Sequence, residues 1–288
     1  MRKLISGLFI ALTMSMIYSC TSKNDEKKVT IAYVNWAEGV AMTQLSKVLL
    51  EKEGYTVVLK NADVAPVFAA VAGGDADIFM DTWMPITHKE YMDKYGSNLE
   101  ILGTNFKNAR IGFVVPEYMT INNIEELNAN ASNLKGKIIG IDAGAGIMNK
   151  AELAVKDYKL NLELQTASEA AMLATLKKSI DAKQPVVVTG WSPHYMFSNF
   201  KLKFLDDPKG IFGNIETIQT IGNKKFVELN PEVAAFFRNF QLSDTQLGSL
   251  MAALESNSNE KAAIEKWIKE NEELATQLGS TLKSAAIK

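Results

Sequence analysis

Three tryptophans occur in separate segments of the chain, each beside polar residues: Asn35-Trp36, Asp81-Thr82-Trp83 and Trp191-Ser192-Pro193-His194. Each follows a short apolar run that is typical of a buried strand, so we predict that each lies in a loop at a strand end. Three indole rings brought together would present their π faces to a central group. Such faces attract a cation that offers no hydrogen-bond donor, above all a quaternary ammonium group.

A fourth tryptophan favours a different interpretation. Trp267 lies on a helical pattern with Ile264 and Ile268, and it has no polar motif beside it. We therefore assign Trp267 to the hydrophobic core. The three other tryptophans occupy matching positions after apolar runs, which favours a shared binding site over separate packing roles.

A small-residue loop at 142–148 (DAGAGIM) offers chemistry for an anion. It lies between a predicted strand and a predicted helix, where free backbone N–H groups bind anions and small residues allow close approach. The loop has neither the lysine of a phosphate loop nor the glycine spacing of a dinucleotide fold. It therefore predicts either an anion contact or a plain tight turn, and we expect no nucleotide cofactor.

The two histidines are candidate donors rather than catalysts. His88 follows Trp83 by five residues and could donate to a carboxylate beside an aromatic wall, whereas His194, three residues after Trp191, is more typical of a structural donor. Neither has the spacing of a metal site, and no nucleophile motif is present. Asp81 and its neighbours Asp75 and Asp77 could act as acid and base, but the last two are typical of turn and strand-entry positions. We therefore expect no catalytic residue, no metal and no cofactor.

Composition excludes some classes of partner. The chain has 288 residues, 47% of them hydrophobic and 22% charged, and a formal net charge of −2. These values are ordinary for a soluble globular protein with a sizeable core. A mildly acidic chain without a basic stripe is not typical of nucleic-acid binding.

The N-terminus has the pattern of a secretory signal. Residues 1–19 combine a positive start with an apolar run, and we predict that they are a signal peptide. Cys20, the single cysteine, directly follows this segment, at the position where bacterial lipoproteins carry their lipid. We predict that Cys20 is lipidated and that residues 20–28 form a flexible tether. The alternative is an ordinary signal peptide with an incidental cysteine. The apolar run is too short for a permanent membrane span.

Strand and helix patterns alternate from Val29 to Ile221, and the rest of the chain is helical. This alternation predicts mainly parallel sheets covered by helices. We predict two α/β domains with two crossovers: residues 29–115 plus 223–288 form domain 1, and residues 116–222 form domain 2. Ligands bind beyond the carboxyl ends of such strands, so the tryptophans are expected to straddle the cleft between the domains.

The tryptophan segments carry a resemblance to a known family. The chain resembles the glycine betaine binding proteins of ABC transporters, which are extracytoplasmic receptors for compatible solutes. The matching segments are 32–36 (AYVNW), 74–89 (GDADIFMDTWMPITHK), 140–148 (GIDAGAGIM), 189–194 (TGWSPH) and 205–209 (LDDPK). The resemblance covers nearly all of residues 29–240.

The resemblance implies a two-lobed periplasmic-binding-protein fold of type II that closes on its ligand. It implies that Trp36, Trp83 and Trp191 form a prism around a trimethylammonium group. It further implies that His88 and the backbone N–H groups of Gly146 and Ile147 bind the ligand's carboxylate. The expected partners are the small-molecule ligand, an ABC permease and a membrane reached only through the lipid on Cys20, in the periplasm or at the cell surface.

Other functions remain open at this point. The ligand could be choline or carnitine, which share the quaternary nitrogen. Tryptophans also stack on sugar rings, so a carbohydrate receptor is a second alternative. A hydrolase acting on a small amine is a third, although it would need a nucleophile or a metal.

Overall fold

The computed structural model describes residues 27–284, so the predicted signal peptide, Cys20 and most of the tether lie outside the described residues. The first elements are β1 (Lys28–Tyr33), α1 (Ala37–Lys52), β2 (Thr56–Asn61), α2 (Val64–Gly73), β3 (Ile78–Met84), α3 (Lys89–Tyr95), a 3-10 turn (Gly96–Asn98) and β4 (Leu99–Pro116). These elements follow the predicted alternation of strands and helices.

The middle of the chain consists of a 3-10 helix (Ile124–Asn130), β5 (Lys137–Ile139), α4 (Gly146–Asp157), β6 (Glu163–Gln165), α5 (Glu169–Asp181), β7 (Val188–Ser192), α6 (Met196–Asn199) and β8 (Leu202–Phe204). The helical pattern of residues 168–182 predicts a helix, which the structure confirms as α5. The Ser168 hydroxyl accepts a hydrogen bond from the Ala171 N–H at the start of this helix. A serine in this position satisfies a donor of the first helical turn.

The last part begins with a strand and ends in helices: β9 (Glu216–Asn223), α7 (Lys224–Leu229), α8 (Pro231–Asn239), α9 (Asp244–Glu255), α10 (Glu260–Glu270) and α11 (Glu272–Ser284). Helices α9 and α10 pack on α1, while α8 packs on β4 and on α11. Trp267 is buried in α10, in agreement with its assignment to the core. No helix within residues 27–284 has the length and hydrophobicity needed to cross a bilayer.

One mixed sheet runs through the described residues, in the order β2-β1-β3-β9-β4-β7-β5-β6, with β8 added to β4. Its outer pairs are parallel, but β9 is antiparallel to β3 and β4, and β4 is antiparallel to β7 and β8. The expectation of mainly parallel sheets was therefore wrong at the centre. We call the elements around β1, β2, β3 and β9 the first lobe and those around β5, β6, β7 and β8 the second lobe.

Strand β4 joins the two lobes. It pairs with β9 as far as Ala109 and with β7 from Arg110 onward. The apolar runs at 99–102 and 111–115, with polar residues between them, predict two separate strands. The structure has one strand because the polar Asn105 is buried with partners: it donates to the Met80 carbonyl at 2.6 Å and accepts from Thr220 at 2.9 Å.

Candidate functional site

A small cavity lies between the two lobes and contains all six predicted ligand-binding residues in its wall. They are Trp36, Trp83, His88, Gly146, Ile147 and Trp191. The first three belong to the first lobe and the others to the second. Five further residues complete the wall: Glu38, Thr87, Ile111, Ile141 and Ala145.

The three tryptophans reach the cavity from different local structures. Trp36 precedes α1 as its N-cap, whereas Trp83 lies inside β3 opposite Ile218, and Trp191 lies inside β7 opposite Ile111. The prediction that all three lie in loops was therefore wrong for Trp83 and Trp191. Strand β3 continues through Asp81 and Thr82, and β7 continues through Thr189 and Gly190, although such polar or small residues are typical of strand ends. All three side chains are buried, with at most 5% exposed.

Buried carboxylates hold two of the indole rings. Trp83 donates its Nε1 hydrogen to Asp81 at 2.8 Å, and Trp191 donates to Glu38 at 2.8 Å. The indole nitrogen of Trp36 is buried without a hydrogen-bond partner. A hydrogen bond at the ring nitrogen fixes the plane of an indole, so Asp81 and Glu38 orient two walls of the cavity.

The surroundings of these two carboxylates, Glu38 and Asp81, disfavour their ionised forms. Burial raises the pKa of Glu38 well above its usual range, and nearby Asp81 and Glu169 raise it further. Burial likewise raises the pKa of Asp81 to about 7, although its hydrogen bond from Trp83 acts in the opposite direction. Desolvation disfavours a charged carboxylate, and a neighbouring negative charge adds to this effect. A cation placed among these groups would therefore be favoured electrostatically.

His88 presents an unused donor to the cavity region. Its Nδ1 accepts a hydrogen bond from the Trp83 backbone N–H at 3.0 Å, and burial lowers the pKa of the ring to about 3. The neutral ring therefore carries its proton on Nε2, which is buried without a partner. Leaving such a donor unsatisfied is costly, so the site is suited to a ligand that brings an acceptor. The ring also stacks on Trp36, with centroids 5.9 Å apart.

The second lobe contributes the start of a helix. Gly146 and Ile147 open α4, and no side chain caps that terminus. The first N–H groups of a helix have no intrahelical acceptor, and the helix dipole makes them suitable for an anion. A methyl group at Gly146 would overlap the carbonyl oxygen of Thr87 in the first lobe. The glycine is therefore required for the two lobes to meet.

Several hydrogen bonds cross between the lobes and keep the cavity enclosed. The Trp191–Glu38 bond is one of them. The Tyr91 hydroxyl donates to the Gly144 carbonyl at 2.8 Å, and the Ala37 N–H donates to Glu169 at 3.2 Å. The structure is thus a closed form in which both lobes contact each other around the site.

His194 lies beside the cavity rather than in its wall. Its Nε2 is 3.0 Å from Glu169, its Nδ1 accepts from the Met196 N–H, and its ring packs edge-on against Trp191 at 4.8 Å. It is a structural partner of the site. Of the other candidates, Asp77 accepts from the Thr30 N–H at 2.6 Å and organises a strand. No cluster of three metal-ligating side chains occurs in the described part of the chain.

The sequence pattern missed Glu38 as a site residue. An acidic residue in the first turn of a helix is typical of dipole stabilisation, so its type and position gave no reason to place it in a cavity. The one feature of the sequence that could have indicated a site role for Glu38 is its position two residues after Trp36. Thr87, next to His88, was missed for a similar reason, since a threonine in a turn is ordinary.

Comparisons with known proteins cover most of the described residues. Residues 27–270 match the family model of the substrate binding domain of ABC-type glycine betaine transport systems. Over 137 residues the chain is 47% identical to the glycine betaine/carnitine transport binding protein GbuC of Listeria monocytogenes. That match spans 46% of each chain, so it covers about half the length of this curated relative.

Two solved structures are similar over nearly their whole length. Lactococcal OpuAC, in a closed-liganded conformation complexed with glycine betaine, has a TM-score of 0.83 and 35% identity; the similarity covers 88% of this chain and 99% of that one. The glycine betaine, L-proline binding protein ProX of Borrelia burgdorferi has a TM-score of 0.84 and 32% identity, with 89% and 100% covered. They confirm the expected two-lobed periplasmic-binding-protein fold. On the strength of the match over residues 27–270, the chain belongs to the family of substrate binding domains of ABC-type glycine betaine transport systems.

Proposed function

We propose that this protein is the substrate receptor of an ABC importer and captures glycine betaine, or a related quaternary ammonium solute, for osmoprotective uptake. The observation that carries the proposal is the shared cavity of Trp36, Trp83 and Trp191, closed by both lobes. Family membership and the glycine betaine complex of lactococcal OpuAC support it. The proposed role is transport rather than catalysis.

The ligand would be bound at two poles. The three indole faces surround the methylated nitrogen, and each face contributes about 2 kcal/mol when water is excluded. The Nε2–H of His88 and the N–H groups of Gly146 and Ile147 bind the carboxylate, adding about 1.5–3 kcal/mol per charge-assisted bond. Ordering and closure offset part of this gain. The balance is a binding free energy of about −8 kcal/mol, which corresponds to a dissociation constant in the micromolar range.

The unpartnered donor on His88 favours a carboxylated ligand over choline. Choline carries the cation but lacks the carboxylate, so it would leave the buried Nε2–H without an acceptor. Carnitine keeps both groups but is longer, and it stays an alternative because the name of the Listeria relative includes it. A sugar has no cation to use the indole faces and the acidic groups behind them.

Titration calorimetry on the chain from Thr21 tests the proposal directly. Glycine betaine, proline betaine, carnitine, choline and a panel of sugars are titrated in turn. We expect micromolar binding of glycine betaine, weaker binding of choline and no heat from sugars. Sugar binding, or no binding by any quaternary ammonium compound, would overturn the assignment. Turnover of any ligand would point to an enzyme instead.

In the proposed cellular arrangement the chain passes twice between two domains, and a lipid on Cys20 holds the receptor near its permease. The sequence-based bounds, residues 29–115 plus 223–288 for domain 1 and 116–222 for domain 2, are replaced by crossovers near Ala109 and Glu216, because β4 changes partner after Ala109 and β9 pairs with the first lobe from its first residue. The change of partner within β4 supports a chain that passes between lobes. Fractionation of cells carrying Cys20→Ser tests the anchor. We expect release of the variant from the membrane, and retention of the variant there would contradict lipidation.

A further inference from the structure

Glu216 is a buried carboxylate outside the wall of the cavity, and it receives three hydrogen bonds from one loop. The backbone N–H groups of Ile86 and Thr87 donate to its Oε2 at 2.8 and 2.9 Å, and the Thr87 hydroxyl donates to its Oε1. Only 1% of the residue is exposed. No lysine or arginine forms an ion pair with it within residues 27–284. These three donors therefore compensate the desolvation of the carboxylate.

The position of Glu216 in the fold is as informative as its contacts. It is the first residue of β9, where the chain returns from the second lobe to the first. Its partner in the sheet is Ala109 of β4, and the next residue, Arg110, already pairs with Ser192 of the second lobe. The carboxylate thus stands where both connections between the lobes lie side by side. Segments that link two lobes absorb the change in backbone angles when the lobes move.

The loop that Glu216 holds carries part of the cavity wall. Thr87 and His88 both line the cavity, and the Thr87 carbonyl packs against Gly146 of the other lobe. The connection before Glu216 also packs on this loop, because Gly213, with a φ of 76°, leaves space for the Ile86 side chain. A displacement of this loop would move the His88 donor relative to the N–H groups that open α4.

We propose that Glu216 is a positioning residue that couples the connection between the lobes to the carboxylate-binding end of the site. It holds the 86–87 backbone in place, so that the Nε2–H of His88 and the start of α4 face the same ligand group in the closed form. This inference rests on the proposed function. It goes further by assigning the selection of a carboxylated ligand partly to a residue that does not touch the ligand.

The coupling predicts a selective defect. Without the carboxylate, two backbone N–H groups and one hydroxyl lose their buried acceptor, and the loop moves to find new ones. Two of the three indole walls, Trp83 and Trp191, depend on other partners, namely Asp81 and Glu38. Loss of Glu216 therefore affects the carboxylate pole of the ligand more than the cation pole, where Trp83 and Trp191 stay in place.

Calorimetry with glycine betaine and choline measures this selectivity in the full chain and in Glu216→Ala. We expect glycine betaine affinity to fall by at least about tenfold and choline affinity by less than about threefold, the first being the loss of one charge-assisted bond. Glu216→Gln keeps an oxygen for the backbone donors and should restore most of the glycine betaine affinity. Equal losses for both ligands, or no loss for either, would overturn the proposal.

A matched control separates positioning from general support of the connection. Asp207 accepts from the Phe212 N–H at 2.7 Å and from the Tyr158 hydroxyl, in the same connection, and neither bond involves the 86–87 backbone. Asp207→Asn should leave the ratio of the two affinities unchanged, and a ratio altered as in Glu216→Ala would contradict a specific role. If Glu216→Ala does not fold, Glu216→Asp, which withdraws the oxygens by one methylene, must show the same selective loss. Failure of the parent chain to bind either ligand would sink the proposed function instead.

Discussion

The indole of Trp191 and the carboxylate of Glu38 form a hydrogen bond of 2.8 Å that joins the two lobes behind the ligand cavity. One partner comes from β7 of the second lobe and the other from the first turn of α1 in the first lobe. The bond orients one wall of the aromatic site and depends on closure of the lobes. On the proposed function, ligand binding and lobe closure are therefore linked through these two residues.

Glu38→Ala should weaken glycine betaine binding by about tenfold, because it leaves the buried Trp191 N–H without an acceptor. Glu38→Gln should lose less, since its amide oxygen can still accept that bond. Glu51→Ala is the matched control, because Glu51 lies on the same helix in a surface pair with Lys47. Calorimetry on the three variants checks this, and equal affinities for Glu38→Ala and the control would contradict the linkage.

Trp36→Ala, Trp83→Ala and Trp191→Ala should each weaken betaine binding by more than tenfold. Each substitution removes an indole face worth about 2 kcal/mol, or about thirtyfold in affinity. Trp267→Ala serves as the control, because Trp267 is equally buried but donates to Ser249 in the helical region. It should lower the melting temperature without changing affinity. Unchanged affinity in two of the three site variants would exclude the aromatic prism.

His88→Ala should weaken glycine betaine more than choline. The substitution removes the Nε2–H donor that the neutral ring holds without a partner. Choline has no carboxylate and therefore forms no hydrogen bond with His88. Its affinity should change mainly because the Trp36 ring loses its stacking contact with His88. Parallel calorimetric titrations of both ligands measure the ratio. An equal loss for the two ligands would remove His88 from the carboxylate pole.

Gly146→Ala should reduce glycine betaine affinity by more than about tenfold, because its methyl group would overlap the Thr87 carbonyl and hold the lobes apart. Gly248→Ala is the control, since a methyl group at that helical glycine meets no atom within 4 Å. Small-angle scattering with and without ligand measures how far the protein becomes more compact when it binds glycine betaine. This ligand-induced compaction should be lost in Gly146→Ala and kept in Gly248→Ala. Normal compaction and affinity in that variant would mean that the contact does not limit closure.

Asp81 should make the ligand-free protein less stable as the pH rises. Its folded pKa is about 7 against an ordinary value of 3.8, so the folded state retains a proton that the unfolded state releases. The stability that this proton contributes is complete below about pH 3.8 and is lost as the pH rises to about 7. Asp81→Asn keeps an acceptor for Trp83 and removes the titration. Melting temperatures from pH 4 to 8 should therefore fall less steeply with pH in the variant than in the parent, and identical slopes would contradict the shift.

Local patterns predicted most elements of this fold, because each depends on neighbours in the chain. The apolar run at Val29, the serine cap at Ser168 and the helical spacing around Trp267 each correspond to an observed element. The sequence pattern did not predict β4 as one continuous strand. Asn105 interrupts its apolar pattern, and its buried partners Met80 and Thr220 are remote in sequence. Tertiary hydrogen bonds made a polar residue acceptable inside a strand.

The residue types of the site were evident from the chain, since indole, imidazole and glycine each have a distinct chemistry that does not depend on the fold. The partners of those residues were not evident. Glu38 reaches Trp191 across 153 positions, and Glu216 reaches Thr87 across 129. The sequence by itself thus determined which groups could bind a methylated cation and a carboxylate. Only the tertiary structure decided which buried acids orient them and how closure brings them together, because burial and long-range hydrogen bonds arise when distant segments pack.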